Sequence, residues 1–402
     1  MGDERIPFTV VEITEPARAA ADRVLASGWI TTGKEAQAFQ QEWAEHVGAA
    51  HCVMVSSCTA AIELSLRAME LPPGSRVLTT STTFCGVVNA ILAAGHRPVF
   101  ADLAHPHEVH NVADSYMVSE RTVREAARRS GGVDAMIVLH FAGHPADVQA
   151  LAAAAGLPLT RVVEDAAHGI ETRVGDRIVG SISQATCFSF YPTKNLPMPE
   201  GGAITTNDAE FAAKLTALRL HGMSADAWRR YLPGGSWRYT VSTPGMKANM
   251  TDLQAAIGRE QMKHLPRWQA RREAICERYD KRLSGIAGLG LPKPAERGRT
   301  AWHLYVVRIR PEFGITRDEL IDHLDAYGVA TSVHFIPSHT MDAYAKYAPA
   351  GGLPNAEEVF EQVVSLPLYP LLTDDQVDRI CEIVTRVGTK APRSTESTNG
   401  GR

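Results

Sequence analysis

The hydrophobic pattern between residues 50 and 207 consists of short apolar runs separated by longer segments with helical spacing. Most runs are continuous and do not alternate with polar residues, which is typical of strands covered on both faces. The intervening segments at residues 60–69, 86–94, 123–129 and 145–155 predict helices. This alternation predicts an α/β domain with a largely parallel sheet. The predicted strands cover residues 52–56, 76–80, 98–101, 135–141, 161–164, 185–190 and 202–206.

The pattern changes after residue 250. Residues 251–282 predict one long helical stretch, which Pro266 is expected to bend or break. Two further strands are predicted at residues 302–309 and 329–335. Capping-box patterns, in which Thr is followed three residues later by Glu or Gln, start two later helices at residues 316–319 and 373–376.

The length of the chain indicates more than one domain. Its 402 residues correspond to about two domains of roughly 150 residues each, with some to spare. We expect a large α/β domain over residues 1–250, followed by a bridging helix and a smaller α+β domain over residues 251–388. Residues 389–402 lie in a Pro-, Ser-, Thr- and Gly-rich segment and are predicted to be a disordered tail.

Composition and charge exclude several classes of protein. Hydrophobic residues make up 45% of the chain and charged residues 21%, which excludes a largely disordered chain. The formal net charge of −4 argues against a broad basic surface for nucleic acid. The six cysteines are scattered without a C-x-x-C pair, which is typical of reduced thiols. Without a leader-like start or an apolar run near the ~20 residues of a membrane helix, the protein is expected to be soluble and cytoplasmic.

Polar residues follow three of the predicted strands. Residues 56–60 (Ser-Ser-Cys-Thr-Ala) precede a helix, where free backbone N–H groups and hydroxyls suit a phosphate group. Residues 164–168 (Glu-Asp-Ala-Ala-His) place carboxylates where open α/β sheets bind ligands. Lys194 follows a Pro-containing turn, and such a lysine is a nucleophile if its pKa is lowered. Each motif alone also fits a simpler interpretation: helix capping for the first two and a solvated charge for the lysine.

The order of the three motifs is more specific than any one of them. Pyridoxal 5'-phosphate (PLP) needs a phosphate cradle, an acid that keeps its pyridine nitrogen protonated, and a lysine that holds its aldehyde. The chain supplies these groups in that order. We therefore interpret the three motifs together as a PLP site.

Ordered motifs along nearly the whole chain, from residue 6 to residue 383, match one known family. They are Ser27-Gly-Trp-Ile-Thr-Thr-Gly33, Ser56-Ser-Cys-Thr-Ala-Ala61, Thr83-Phe-Cys-Gly-Val-Val-Asn-Ala-Ile91, Pro98-Val-Phe-Ala-Asp102, Glu164-Asp-Ala-Ala-His168, Ser189-Phe-Tyr-Pro-Thr-Lys-Asn195, Glu200-Gly-Gly202, Asp252-Leu-Gln-Ala-Ala-Ile257 and Ser365-Leu-Pro-Leu-Tyr-Pro370. On these motifs the sequence resembles the DegT/DnrJ/EryC1/StrS family of PLP-dependent sugar aminotransferases. The resemblance implies PLP-dependent transferase fold type I, with a mostly parallel seven-stranded sheet in the large, PLP-binding domain.

The resemblance also implies a role for each matched position. Lys194 is implied to form the internal aldimine and to shuttle the proton. Asp165 is implied to pair with the pyridinium nitrogen, whose pKa an ionised carboxylate raises. His168 matches a position near the cofactor ring, and Phe84 matches the aromatic residue that stacks on its face. The phosphate-binding positions are matched by Cys58, Thr59 and Ser189.

A second subunit is implied to complete the phosphate site. Relatives contribute an Asn from a segment similar to G-Y-N-Y-R-M, and here residues 245–250 place Lys247 at the Asn position and Asn249 at the Arg position. Either residue can make the contact, and a homodimer with shared active sites is expected. The chain departs from the family pattern at Cys58, where Gly is typical, and at residues 197–199, which read Pro-Met-Pro.

The activity implied by the resemblance is a ping-pong transamination. An amino donor, in this family usually L-glutamate, aminates the cofactor, which then passes the amino group to a ketone. The expected acceptor is a nucleotide-linked ketosugar, since residues 27–33 and 140–147 resemble members that aminate C4 of UDP-linked sugars. The alternatives are a ketocyclitol or another keto precursor in natural-product synthesis. Candidate contacts to a diphosphate are Arg229, Arg230 and Lys34, for which solvated surface charge is equally consistent.

Two other classes compete with an aminotransferase. His105, His107 and His110 form an H-x-H-x-x-H cluster, and imidazoles at this spacing bind zinc in some hydrolases. The Asp of the metallo-β-lactamase pattern H-x-H-x-D-H is replaced by Val109, which favours surface histidines without metal. A non-catalytic regulator is the other class. Retention of Lys194 argues for a catalytic function. Because related sugar dehydratases carry His at this position, the lysine also favours transamination over dehydration.

Overall fold

The computed structural model describes residues 5–105, 115–223, 239–296 and 298–388. Its helices are α1 Glu15–Ser27, α2 Lys34–Val47, α3 Cys58–Ala68, α4 Cys85–Ala93, α5 Glu120–Arg129, α6 Val148–Ala155, α7 Ala209–Leu218, α8 Asp252–Met262, α9 Leu265–Leu283, α10 Arg317–Ala326, α11 Pro354–Gln362 and α12 Asp374–Gly388. Its strands are β1 His51–Val55, β2 Arg76–Thr80, β3 Arg97–Ala101, β4 Ala135–Leu139, β5 Val162–Ala166, β6 Arg173–Val174, β7 Arg177–Ile178, β8 Ala185–Ser189, β9 Gly202–Thr206, β10 Leu289–Gly290, β11 Gly298–Arg299, β12 Tyr305–Ile309 and β13 Val363–Leu366.

A seven-stranded sheet forms the centre of the first half of the chain, in the order β1-β9-β8-β5-β4-β2-β3. β9 runs antiparallel to its neighbours β1 and β8, while the other neighbouring strands are parallel. Each of the seven apolar runs predicted between residues 50 and 207 is a strand of this sheet, with bounds that differ by at most two residues. The predicted α/β fold with a mostly parallel sheet is confirmed.

The continuous apolar runs arise because helices cover both faces of the sheet. Along β4, Ala135 and Ile137 pack into a cluster with α3, α4 and α7, whereas Met136 and Val138 pack into a second cluster with α5 and α6. Successive side chains of a strand point to opposite faces, so a strand covered on both sides needs apolar residues at every position. The four helices predicted between these strands are also confirmed as α3 to α6.

The long helical stretch after residue 250 is two helices, α8 and α9, separated at Lys263 and His264. Pro266 lies in the first turn of α9, where its missing N–H removes no intrahelical hydrogen bond. The predicted break is therefore confirmed, with the proline starting the second helix.

A smaller three-stranded antiparallel sheet, in the order β10-β12-β13, lies in the C-terminal part of the chain. It shares a hydrophobic core with α9, α10 and α12. Both predicted capping boxes are confirmed at the helix starts: Thr316 pairs with Glu319, and Thr373 pairs with Gln376. The predicted division of the chain after residue 250 stays a prediction, and residues 389–402 lie outside the described residues.

The strand predicted at residues 329–335 is wrong. Only single bridges form there, from Val329 to Ile6 and from Ser332 to Ser365. Val333 and Phe335 point their apolar side chains into a cavity instead of pairing along a ladder. β12 pairs with β10 and β13, two short strands that the sequence pattern did not predict.

Two further sequence expectations concern helices and thiols. No helix within the four described ranges is both long and apolar enough to cross a membrane. All six cysteines lie in those ranges and are free.

Candidate active site

The carboxyl ends of β1, β5 and β8 meet at one edge of the main sheet, because these three strands run in the same direction. Ligands of open α/β sheets bind at this edge, and a cavity of about 670 Å³ lies there. The structure brings seven predicted cofactor residues together in its lining: Cys58, Thr59, Phe84, Asp165, His168, Ser189 and Lys194. Their shared position is observed, whereas their individual roles remain predictions.

The N-terminus of α3 faces this cavity. Ser57 caps the helix by accepting a hydrogen bond from the Ala60 N–H at 3.2 Å. Cys58 and Thr59 form the first turn, where backbone N–H groups have no partner within a helix. These donors and the helix dipole favour a bound anion, and Ser189 lines the same cavity with its hydroxyl.

Gly202 allows the start of α3 to rest directly on the sheet. A Cβ atom at this position would lie 2.5 Å from the carbonyl carbon of Ser57 and 2.8 Å from the nitrogen of Cys58. Both atoms belong to the backbone and cannot rotate away. The second glycine of the Glu-Gly-Gly motif at residues 200–202 therefore has a steric reason, which is the close contact between β9 and the anion-binding end of α3.

Lys194 follows β8 in a tight turn, in which its N–H donates to the Tyr191 carbonyl at 2.9 Å. Among the described residues, its Nζ has no hydrogen-bond or ion-pair partner. Burial lowers the pKa of this amine to about 8, although the charge of Asp165 opposes the shift. About a tenth of the amine is therefore neutral, and hence nucleophilic, at pH 7, far more than for an ordinary lysine.

Asp165 lies in the fully buried strand β5. Its Oδ1 accepts a hydrogen bond from the Ala167 N–H at 3.0 Å and lies 3.8 Å from the thiol of Cys58. Burial raises the pKa of this carboxyl above its ordinary value, while the Ala167 N–H and the charge of Lys194 act in the opposite direction. A buried carboxylate of this kind is stabilised by a cationic partner in the cavity.

His168 is held in one tautomer by the turn that follows β4. Its Nδ1 accepts a hydrogen bond from the Ala142 N–H at 3.2 Å, so the ring proton sits on Nε2. Burial, followed by the charge of Lys194, holds the pKa of this imidazole well below its usual range. Ala142 has a left-handed backbone (φ 54°), which is uncommon for a residue with a side chain. Its carbonyl oxygen also accepts from the His303 N–H at 2.9 Å, so one peptide segment orients both histidines.

A buried polar cluster around Glu164 holds the start of this turn. Glu164 is fully buried and accepts hydrogen bonds from the side chains of His140 at 3.0 Å, Ser183 at 2.8 Å and Thr186 at 3.1 Å. Burial alone would raise the pKa of Glu164, but these bonds lower it below its ordinary value. The Glu164–His140 contact joins β5 to the start of the turn that orients His168.

Phe84 lies at the mouth of the cavity and is 60% exposed. Its ring centroid is 6.5 Å from that of Phe335. An exposed aromatic face at a cavity mouth is available for stacking, as the family resemblance implies for this position.

Four further residues of the cavity lining were not predicted from the sequence: Phe8, His303, His334 and Phe335. His334 stacks on Phe8 with ring centroids 5.8 Å apart. Burial, and then the charge of Lys194, lowers the pKa of His334 to about 4. His303 lay inside a predicted strand, and nothing in the local pattern distinguished it from a core residue.

Lys247 and Asn249 do not belong to the described lining of their own chain's cavity. The Asn249 amide nitrogen donates to the Thr32 hydroxyl at 2.5 Å, and Lys247 Nζ donates to the Asn249 amide oxygen at 2.5 Å. Between them, the Ala248 carbonyl accepts from the Ser56 N–H at 2.8 Å, which places this segment beside the loop that enters α3. A contact of either residue with a partner subunit stays a prediction.

The remaining candidates lie elsewhere. Lys34 is the exposed first residue of α2 and is not among the cavity's described lining residues. Arg229 and Arg230 lie outside the described residues, as do His107 and His110, so the structure describes only His105 of the histidine cluster. Within the described ranges, no group of three or more His, Cys, Asp or Glu side chains is placed to hold a metal ion.

The cavity's residues fit PLP. The helix start that packs against Gly202 has free backbone N–H groups in its first turn, which suit the phosphate group. The buried carboxylate of Asp165 suits a protonated ring nitrogen, and the unpaired amine of Lys194 suits the aldehyde.

Comparisons with known proteins agree with this geometry. Residues 11–385 match the sequence model of the DegT/DnrJ/EryC1/StrS aminotransferase family. The chain is 42% identical over 384 residues to the spore coat polysaccharide biosynthesis protein SpsC of Bacillus subtilis (strain 168), covering 94% of this chain and 96% of that protein.

Solved structures give the same result for the fold. The crystal structure of DesV from S. venezuelae has a TM-score of 0.83 and 35% identity, over 97% of this chain and 100% of that chain. The structure of DesI in the presence of its TDP-sugar product has a TM-score of 0.82 and 27% identity, over 97% and 94% of the two chains. The expected PLP-dependent transferase architecture is thereby confirmed. The chain belongs to the DegT/DnrJ/EryC1/StrS aminotransferase family and is a PLP-dependent aminotransferase.

Proposed function

We propose that this protein transfers an amino group from an amino acid, with L-glutamate as the expected donor, to the ketone of a nucleotide-linked sugar. One observation carries this proposal. The lining of one cavity contains the Lys194 amine, with a pKa of about 8, the Asp165 carboxylate and the free N-terminal end of α3. The two half-reactions follow each other at this one site in a ping-pong order, as the family resemblance implies.

The chemistry divides between the cofactor and the protein. Bound PLP supplies an electron sink for the carbon that carries the transferred nitrogen. Lys194 would act as the nucleophile that holds the cofactor's aldehyde and would carry the proton at Nζ between carbon atoms in both half-reactions. Asp165 would keep the ring nitrogen protonated, and the N–H groups at Cys58 and Thr59 would hold the phosphate with the Ser189 hydroxyl.

His168 and Phe84 would position the cofactor ring. The tautomer of His168 leaves its Nε2–H as a donor toward the cavity, which suits a ring oxygen of the cofactor. Phe84 offers an exposed face for stacking.

A sugar acceptor is supported by the relatives. SpsC is named for polysaccharide biosynthesis, and DesI was solved with its TDP-sugar product. By analogy with these two relatives, we propose a nucleotide-linked ketosugar as the acceptor of this protein. We expect the reaction to take place in the cytoplasm.

The proposal includes a homodimer with shared active sites. Lys247 and Asn249 would complete the partner's phosphate site. This assignment follows the family resemblance, and it is compatible with the position of both residues outside the described lining of their own cavity.

The acceptor is tested by loading the purified protein with PLP, aminating it with L-glutamate, and mixing it with a panel of ketones. The panel contains 4-keto and 3-keto nucleotide sugars and scyllo-inosose, and the return of the cofactor's visible absorbance reports the transfer. We expect a response to a nucleotide sugar. A response to scyllo-inosose alone would refute the nucleotide-sugar acceptor and favour a ketocyclitol.

The role of Lys194 is tested by Lys194→Ala, which should fold normally and bind PLP without a covalent link. This variant should lose transamination. Many turnovers by the variant would contradict the proposed role.

A further inference from the structure

The side-chain amide of Asn195 has a fixed orientation next to Lys194. Its nitrogen donates to the Ala301 carbonyl at 2.8 Å and lies 3.5 Å from the Ile170 carbonyl. The reversed amide would point its oxygen at these two carbonyl oxygens, so only one orientation is favourable. The Asn195 amide oxygen therefore faces the remaining neighbour, which is Nδ1 of His303 at 3.2 Å.

This orientation determines the tautomer of His303. An amide oxygen only accepts hydrogen bonds, so the proton of the His303 ring must sit on Nδ1. Burial, followed by the nearby His168 and the charge of Lys194, keeps the pKa of His303 well below its usual range, and the ring is neutral. Its Nε2 therefore carries a lone pair and no proton. No described residue donates a hydrogen bond to that atom.

The backbone around His303 is held from two sides. Its N–H donates to the Ala142 carbonyl at 2.9 Å. The buried guanidinium of Arg272 donates to the Trp302 carbonyl at 3.1 Å and contacts the His303 carbonyl at 3.4 Å. The imidazole is consequently fixed in the cavity wall, with its ring centroid 4.4 Å from that of His168.

The surroundings of the ring indicate what Nε2 meets. His303 lines the same cavity as Lys194 and lies beside His168, and His334 and Phe335 belong to the same lining. A molecule that reacts at Lys194 must enter this cavity. The lone pair on Nε2 attracts an O–H donor and repels the carboxylate oxygens of an amino acid.

We propose that His303 is a specificity residue whose Nε2 accepts a hydrogen bond from a hydroxyl group of the acceptor sugar, on a carbon beside the ketone. This inference rests on the proposed function and deepens it. It assigns the acceptor class as ketosugars that retain a hydroxyl next to the reacting carbon. It also separates the two half-reactions, because the carboxylate oxygens of the amino donor cannot donate a hydrogen bond to this atom.

Two substitutions separate the two ring nitrogens. His303→Asn keeps an amide N–H near the position of Nδ1, so the contact with Asn195 survives and the acceptor in the cavity is lost. His303→Gln extends an amide oxygen toward the position of Nε2, so the cavity acceptor survives. The two half-reactions are measured separately by stopped-flow absorbance with the PLP-loaded protein, first with L-glutamate and then with the ketosugar found in the panel.

The expected result is a split between the half-reactions. His303→Asn should lower kcat/KM for the ketosugar about 10- to 100-fold, the usual effect of losing one buried hydrogen bond. His303→Gln should retain most of that value, and both variants should react with the amino donor within about threefold of wild type. A ketosugar analogue without the adjacent hydroxyl should react equally poorly with the wild type and His303→Asn.

Other outcomes would overturn the inference. Equal losses in both half-reactions would mean that His303 serves Lys194 or the fold, and a larger loss in His303→Gln than in His303→Asn would mean that only the Asn195 contact matters. His144→Gln is the matched control. His144 is a buried imidazole that packs on Trp302 with ring centroids 5.3 Å apart and is not among the described lining residues. This control should lower the melting temperature without separating the half-reactions.

The tautomer is tested without turnover, by nitrogen NMR of the apoprotein with labelled histidine. The signals lost in His303→Gln should show a protonated Nδ1 and an unprotonated Nε2, and Asn195→Ala should disturb that pair. The opposite tautomer would overturn the inference even if the protein is an aminotransferase. Amination by L-glutamate without transfer to any ketosugar would instead refute the proposed function, and the hydroxyl contact with it.

Discussion

Replacing Gly202 by Ala tests the idea that the anion-binding end of α3 depends on its contact with β9. The new Cβ would lie 2.5 Å from the Ser57 carbonyl carbon, and ordinary contacts begin near 3.4 Å, so the helix start would have to move by about 0.9 Å. Overpacking costs about 1–3 kcal/mol, and we expect about 3 kcal/mol because backbone cannot rotate away. A displacement of this size should also remove one N–H contact to the phosphate, which weakens PLP binding about 10- to 100-fold.

Gly201→Ala is the matched control for this substitution. Its new Cβ would meet the mobile ends of Met250, at 2.9 Å, and Met198, at 3.3 Å, and these side chains can adjust. The control should stay within about 1 kcal/mol of wild type in urea denaturation and keep its PLP affinity in a fluorescence titration. Equal stability and equal PLP affinity of the two variants would refute the reasoning.

Two further predictions concern buried ionisable groups. Because the neutral amine is the nucleophile and the pKa of Lys194 is about 8, the rate of PLP capture by the apoprotein, measured by stopped-flow absorbance, should rise about tenfold per pH unit below pH 8 and level off above it. A rate that still climbs past about pH 9 would indicate an ordinary lysine. Glu164→Gln should cost about 3 kcal/mol in urea denaturation, since a buried acceptor of three side-chain hydrogen bonds is altered. Glu125→Gln, which removes an exposed ion pair with Arg121, should cost at most about 0.5 kcal/mol, and equal costs would contradict the argument.

The sheet was predictable from the sequence because burial on both faces forces continuous apolar runs. Residues 135–139 show this clearly, with neighbouring side chains in different clusters. Once the strands are located, the loops that follow them must meet at one edge. The grouping of Asp165 and Lys194 with the start of α3 therefore followed from strand direction alone.

The lining residues that follow residue 300 could not be predicted in this way. His303 reaches its place through contacts with Asn195 and Ala142, which are more than 100 residues away in sequence. Residues 329–335 have the composition of a strand, but their apolar side chains fill a cavity wall that only the packed structure creates. Local patterns carry no information about such distant contacts.

The lining of the cavity is encoded in separate parts of the chain. The seven predicted cofactor residues of the lining lie between positions 58 and 194, and a second group of lining residues lies between positions 303 and 368. A chimera that exchanges the second segment for that of a relative would keep the predicted cofactor residues and would change the segment that contains His303, the residue proposed to contact the acceptor. The architecture thus permits acceptor preference to diversify by recombination, without renewed selection on the chemistry.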